Sequence, residues 1–488
     1  MTTVRTKAGE ITFGLIGFLF LVEIVSGILQ GYYVPLISDL VKYLHIRDAD
    51  FNWFEAAQLL LSALVVPFLA KLGDMFGHKR ILLVSTILTA LASWALVFAD
   101  TFTTFLIAWA LQGFYVVWLP LEVALIFDRG RRTGRGASQT RRAAGFLVVA
   151  LETGAIVGAL LGGRIFGWFD HNVPLTLTVP AIAVTLVFFA VLFGVPESIP
   201  LPGRRLDIVG FSILTLGLLL VTSGLTFLRL NGLGAWWVYI LIAVGVLVFV
   251  PFGRYELRQK DPAIDLRVLR QPNMWPVQLT AALIGISLLG AQAPLSAYAG
   301  TDPSNGYGLG LDSSARSTLI GVYLISMIGG ALLFPVVSRR FSPRVTLIIA
   351  AFLVAIGYLL FVPFHLETWQ VFLNMFIAGV GSGALVGAMP AAAAAAAPRG
   401  QTGIAAALTN TTKTIGGSFA SAIFGIVLAM GVLTVASGTA SSLSGYLAVW
   451  IICGVGALVA AVLLFFVPKL AFADVADEEL VVEAVPAP

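Results

Sequence analysis

Ala70-Lys-Leu-Gly-Asp-Met-Phe-Gly-His-Lys-Arg80 is a short polar strip between two long apolar runs. It carries an acid (Asp74), a turn glycine (Gly77) and a basic cluster (His78, Lys79, Arg80). A degraded copy, Pro335-Val-Val-Ser-Arg-Arg-Phe-Ser-Pro-Arg344, returns later in the chain. The two align without a gap, pairing Phe76 with Phe341 and Lys79 with Arg344. The same inter-helix loop in both halves of an apolar chain marks a duplicated helical unit, a construction found in membrane transporters.

Working outward from the strip, the chain is 59% hydrophobic and only 11% charged, far from the balance of a soluble domain. Ionisable residues collect in short strips between apolar runs of about 20 residues, the length that spans a bilayer core. Fourteen such runs lie near 11–38, 52–72, 79–99, 102–127, 144–168, 173–195, 208–228, 236–253, 273–298, 316–336, 344–363, 368–390, 402–430 and 445–468. Each is expected to be a helix, because lipid offers backbone groups no partner outside their own helix.

Orientation follows from the cations. With the N-terminus in the cytoplasm, 23 of the 29 Lys and Arg residues fall on the cytoplasmic side, including six arginines between Arg129 and Arg142. The opposite loops hold only Lys42, Arg47, Arg229 and Arg316, and Arg164 and Lys413 fall within spans. This is the positive-inside bias, and with fourteen spans it puts both termini in the cytoplasm. The net charge of +4 is therefore topological, and the Arg129–Arg142 cluster suits anionic lipid rather than nucleic acid. The first run is too long for a signal peptide and lacks a small-residue cleavage region. The single cysteine, Cys453, lies within the last run, so no intramolecular disulfide exists.

The echo of the strip sets run 2 opposite run 10 and divides the chain. The expected organisation is an all-α polytopic membrane protein. Residues 1–200 form a six-helix bundle, 201–270 two additional helices with flanking cytoplasmic segments, 271–470 a second six-helix bundle, and 471–488 an acidic disordered tail. The seven alanines at 391–397 read as a helix end built for close packing.

The strip resembles the loop 2–3 signature of the major facilitator superfamily, Gly-x-Leu-x-Asp-Arg-x-Gly-Arg-Arg. Leu72, Asp74, Gly77, Lys79 and Arg80 match, while Ala70 and Met75 depart from it. Gly154-Ala-Ile-Val-Gly158-Ala-Leu-Leu-Gly162-Gly163 is similar to the signature Gly-x-x-x-Gly-Pro-x-x-Gly-Gly of its drug/proton antiporters, with Ala159 in place of proline. Trp53, Asn172-Val-Pro174 and Thr409-Asn-Thr-Thr-Lys-Thr-Ile-Gly-Gly417 also fit the fourteen-span branch. The resemblance covers roughly residues 11–468 and implies alternating access between two bundles. One departure bears on coupling. The family's arginine three residues before Gln112-Gly113, tied there to proton coupling, is Trp109 here. The acid usual nine residues before the proline of span 1 is Ser26, with Glu23 one turn earlier.

Charges at membrane depth cost roughly 2.5–3.5 kcal/mol each on insertion scales and so point to function. Glu23 leads a polar face with Ser26, Gly27 and Gln30 and can take a proton or a cationic solute. Glu122 shares a face with Tyr115 and Trp118, an arrangement suited to a lipophilic cation or to a polar helix pair. Glu152 faces Lys413 or solvent. Lys413, with Asn410 on its face, must pair or snorkel. Gly154, Gly158 and Gly162 form a smooth stripe for close helix contact, and Glu152 points away from it. Asp74, Gly77, Lys79, Arg80 and Asp128 are expected to form a cytoplasmic latch of individually weak pairs.

The chain has no Walker A lysine loop, no His/Cys metal spacing and no nucleophile elbow. No cofactor and no enzyme activity are expected. The reading is a monomeric exporter of an amphipathic small molecule, a cation among the candidates, exchanging it for protons across the lipid bilayer of a bacterial cell membrane. The alternatives are an exporter or facilitator for a lipid or natural product without proton coupling, and a non-transporting membrane sensor or assembly partner.

Overall fold

A computed structural model describes residues 13–132, 136–198, 206–260, 262–396, 402–430, 432–435 and 438–466. Thirteen of its helices are long and apolar enough to cross a membrane. In chain order they are α1 (Leu15–Tyr43), α2 (Asp48–Phe76), α3 (His78–Val97), α4 (Phe102–Ile126), α5 (Phe146–Trp168), α6 (Val173–Gly194), α7 (Ile208–Asn231), α8 (Trp236–Glu256), α9 (Trp275–Gly300), α10 (Ser313–Phe341), α12 (Thr368–Pro390), α13 (Leu408–Met430) and α14 (Leu443–Leu464). The run expected at 344–363 forms a shorter apolar helix, α11 (Pro343–Leu359). Pro363 explains the early stop: it cannot donate to a continuing helix, and it biases Val362 away from helical geometry. The helix of α12 runs on through Ala396. A two-stranded hairpin, β1 (Val432–Val435) with β2 (Gly438–Ser441), joins α13 to α14.

The packing repeats with an offset of eight helices. The pairs α1·α5, α2·α4 and α3·α6 in the first half match α9·α13, α10·α12 and α11·α14 in the second. Between the halves, α2·α13 matches α5·α10. The first helix of each half is broken: α1 passes through a 3₁₀ turn at Val34–Leu36, beside Pro35, and α9 through a wider π turn at Ile286–Gly290. Helices α7 and α8 have no counterpart. They pack on each other, and α7 lies against both α2 and α13.

The strip and its copy occupy equivalent joints. Gly77 ends α2 and opens α3 at φ +104, and Ser342 does the same between α10 and α11 at φ +81. Glycine suits this left-handed joint, whereas serine adopts it against steric preference. The aligned cations do the same work. Lys79 Nζ donates to the Leu192 carbonyl near the end of α6 at 2.8 Å, and Arg344 Nε to the Leu464 carbonyl that ends α14 at 3.1 Å. Each cation meets orphan carbonyls at the negative end of a helix dipole.

Lipid gives helices no hydrophobic reason to associate, so close backbone approach and internal polar bonds hold the bundle. The glycine stripe lies on α1, which answers with glycines of its own. A Cβ on Gly154 would stand 2.0 Å from the Ile24 carbonyl oxygen, and one on Gly27 1.9 Å from that of Leu151. Between α9 and α13, a Cβ on Gly285 would stand 2.0 Å from the Lys413 carbonyl oxygen, and one on Gly416 2.0 Å from that of Ala282. Large apolar side chains such as Phe98, Phe193 and Trp168 stay exposed on the outside, the surface a lipid-embedded protein presents.

Candidate functional site

The two halves are tied most closely at the end far from the cation-rich strip. Ser38 Oγ donates to the Ser296 carbonyl at 3.3 Å, and Ser296 Oγ to that of Val34 at 2.6 Å. The Gly163 N–H donates to Ser317 Oγ at 2.9 Å, and Ser418 Oγ to the Ala56 carbonyl at 2.8 Å. Asp39 forms a salt bridge with Arg316, whose side chain is nearly fully enclosed. A cavity of about 240 Å³ adjoins that bridge, with Lys42, His171 and Asp312 on its wall. The Tyr307 hydroxyl donates to the Ser441 carbonyl, and burial with nearby Asp48 pushes its pKa up to about 12, so it remains a donor.

Within the first half, Glu23 on α1 and Glu122 on α4 are both fully buried. The two carboxyls are electrostatic neighbours. None of their four oxygens has a hydrogen-bond partner. Glu122 sits just past a 3₁₀ stretch, Gly113–Val117, that breaks α4 where Gly113 meets α2. Ser62 Oγ of α2 donates to the Gly113 carbonyl there at 3.0 Å. Tyr115 is buried close to Glu23. Trp118 is fully enclosed, with its indole N–H donating to Ser85 Oγ on α3 at 3.0 Å. Gln30, expected on the face of Glu23, is exposed.

Trp109, at the arginine position of the resemblance, is buried among Tyr33, Phe51, Phe54 and Phe105 at ring separations of 5.0–6.4 Å. Its neighbour Gln112 donates from Nε2 to Tyr33 Oη at 2.8 Å and to Ser93 Oγ at 3.0 Å. An aromatic box thus occupies the place where the signature would set a cation.

Glu152 and Lys413 come from opposite halves. Both are half-buried, and each feels the other's charge. Tyr323 of α10 also lies within the field of Glu152. Asn410 is half-buried one turn before Lys413. Glycines Gly154, Gly158 and Gly162 lie against α1, so α5 turns its stripe into the first half and Glu152 towards the second. Sequence reasoning missed Glu55, a half-buried acid on α2 that interacts with Tyr115. Its place near the head of the second apolar run made it look like an interfacial charge; the one available signal was its position one turn inside that run.

Around the joint at Gly77 the polar strip contacts the end of α6 and the residues just beyond it. Asp74 pairs with His78 at 3.3 Å. Glu197, just beyond α6, accepts the Lys79 N–H at 3.0 Å and lies 3.6 Å from Arg80. Ser198 Oγ accepts the His78 N–H at 2.8 Å. The acid facing the cations of the strip is thus Glu197, a residue without a place in the signature. Asp128 lies outside the residues whose side chains are described, and the tail 471–488 lies outside the described residues. Among the described residues no group of His, Cys, Asp and Glu could hold a metal ion.

The sequence profile of the Major Facilitator Superfamily matches residues 19–421. The chain is 26% identical to the uncharacterized MFS-type transporter YfiU of Bacillus subtilis, over 80% of this chain and 73% of that protein. It is 23% identical to the multidrug transporter protein MdtP of the same organism, over 77% and 68%. It is 28% identical to the cephamycin export protein CmcT of Amycolatopsis lactamdurans, over 78% and 77%. The crystal structure of the nucleoside transporter NupG superposes with a TM-score of 0.60 at 13% identity, covering 93% of this chain and 97% of that one. A family profile spanning most of the helices, together with a repeated helix packing, makes the chain a membrane transporter of small molecules rather than an enzyme: it belongs to the Major Facilitator Superfamily.

Proposed function

We propose that the chain is a secondary active exporter of amphipathic organic compounds, cations among them, driven by exchange for protons. In this reading it has fourteen spans, counting α11, and both termini lie in the cytoplasm of a bacterial cell. Two six-helix bundles, within 1–200 and 271–470, rock about the contact between the halves where Glu152 and Lys413 act on each other. The observation that carries the proton coupling is the buried pair Glu23–Glu122, with four unpartnered oxygens and no hydrogen-bonded cation. Two ionised carboxylates so placed repel in an enclosed apolar site, and a proton or a cationic solute relieves that repulsion. Relatives named for multidrug transport and cephamycin export support the outward direction.

The test is transport in membrane vesicles under an imposed pH gradient, comparing wild type with Glu23→Gln. Gradient-driven uptake is expected to disappear in the variant while binding of a substrate such as a lipophilic cation dye persists. Unchanged gradient-driven transport would remove Glu23 as the proton carrier. The aromatic box around Trp109 favours a second reading, an exporter or facilitator for a lipid or natural product without proton exchange. Transport indifferent to the pH gradient in the wild type would select it.

A further inference from the structure

The inserted helices α7 and α8 meet at the cation-rich end in a buried joint. Asp207 caps α7, its Oδ1 accepting the Gly210 N–H at 2.8 Å and the Tyr255 hydroxyl at 3.1 Å. Glu256 closes α8 and is 1% exposed, its Oε2 accepting the Ile264 N–H at 3.3 Å. The remaining oxygens, Asp207 Oδ2 and Glu256 Oε1, are buried without a partner. Both lean over Gly210: a Cβ there would stand 2.1 Å from Glu256 Oε1 and 2.6 Å from Asp207 Oδ2. Glycine leaves the room that lets these two oxygens converge.

Two ionised carboxylates facing each other in a buried space repel, and neither of the facing oxygens has a donor. One proton between them turns repulsion into a charge-assisted O–H···O bond and satisfies both oxygens. We propose that Asp207 and Glu256 hold one proton between them, making the root of the inserted helix pair a protonation site separate from Glu23 and Glu122. The groups that face it agree with that charge. Lys71 of α2 lies close enough to act on Glu256, and its Nζ donates to the Pro262 carbonyl at 3.1 Å. From α8 the Tyr255 hydroxyl faces Asp207, and from the following segment come backbone N–H groups. Arg254, Arg258 and Lys260 are exposed. A divalent cation would find two carboxylate oxygens and a neighbouring ammonium, short of the oxygen shell that calcium or magnesium takes.

The joint anchors the segment leading to α9, so its proton couples inner pH to the attachment of the second half. The sign follows from where the proton sits. A proton shared in this way is given up at higher pH than that of free carboxyls, which lose theirs near about pH 4. Stability drawn from the joint is therefore lost as pH rises through its titration. Thermal unfolding of the purified full-length chain in detergent tests this at about pH 6 and about pH 9, either side of neutrality. Wild type is expected to lose several degrees of Tm on the alkaline side. Glu256→Gln, a permanent donor, should lose markedly less, with a weaker infrared band of protonated carboxyl at neutral pH. Asp207→Asn keeps an N-cap acceptor and should flatten the profile in the same way. A wild-type pH slope retained in both variants, or an unchanged infrared band, overturns the proposal. So does a wild-type Tm at the higher pH that added sodium or magnesium restores and that Glu256→Gln does not follow, because a metal ion would then hold the pair.

Discussion

The α2–α13 seam is roofed along its length by α7 and α8, whereas its counterpart between α5 and α10 has no such cover among the described residues. Towards the far end, Leu228 and Val238 of the inserted pair share an apolar cluster with Trp53 and Ala56 of α2 and Ala422 and Ile426 of α13. Towards the cation-rich end, Leu214, Leu218 and Phe252 cluster with Ile264 and Leu408. On the bare seam's helices, Phe146 and Val149 of α5 and Leu332 and Val336 of α10 remain exposed. Each seam also carries one buried arginine–aspartate pair at the far end, used differently. On the roofed side Arg229 of α7 pairs with Asp50 of α2 and lies 5.4 Å from the Trp53 ring centre. On the bare side Arg316 of α10 pairs with Asp39 of the other half.

The difference has a mechanical meaning. The inserted pair is fastened to α2 by Asp50–Arg229 at the far end, the segment following α8 by Lys71–Pro262 at the other, and the pair meets α13 through apolar side chains in the two clusters. Apolar contacts are non-directional and tolerate sliding, whereas a buried charge pair holds one geometry. Under the proposed rocking of the halves, α13 would slide beneath α7, while the bare seam would have to release Asp39–Arg316 to open.

Breaking the fastening pair should have the largest effect. Asp50→Asn leaves the enclosed Arg229 without its counter-charge and is expected to destabilise the fold by about 3–5 kcal/mol. Thermal unfolding would show it, and spin-label distances across α5 and α10 should stay as in wild type. A change in those distances would mean that the roofed pair takes part in opening. Crowding the two seams separates them next. A Cβ on Gly163 would stand 2.0 Å from the Ser313 carbonyl oxygen, whereas one on Gly425 meets nothing nearer than Trp53 Nε1 at 3.1 Å. Gly163→Ala should cost about 1–3 kcal/mol of far-end closure as overpacking, and Gly425→Ala much less. Cysteine accessibility at the far end reads both, and equal responses would erase the distinction between the seams. Asp39→Asn should act on the bare seam more gently than Gly163→Ala crowds it. It should shift the population towards a far-end-open state by about tenfold, or ~1.4 kcal/mol, seen as longer α5–α10 label distances. A loss of Tm as large as that of Asp50→Asn, with unchanged distances, would make Asp39–Arg316 a fastening pair as well.

Much of the frame was legible from local chemistry. The apolar runs became helices because lipid leaves the backbone no other choice. The strip and its copy became matching joints because Gly77 and Ser342 hold the same unusual backbone and Lys79 and Arg344 cap equivalent helix ends. The buried acids Glu23 and Glu122 stood out because charge in an apolar run is costly. Hidden from the sequence were the partners. Glu197 lies 118 positions from Lys79 along the chain, and Asp50 and Arg229, like Asp39 and Arg316, looked like ordinary charges at helix ends. Glu55 passed unnoticed for the same reason.

The sequence by itself determined which segments form long apolar helices, where the chain repeats and which charges lie within those helices, since each depends on neighbours along the chain. Only the tertiary structure decided that α1 supplies the glycines facing the stripe on α5. It alone put Glu152 opposite Lys413 and laid the unrepeated helices over one seam. Those outcomes depend on which helix faces meet, and inside lipid that choice is made by shape and pairwise polar contact between segments far apart in sequence.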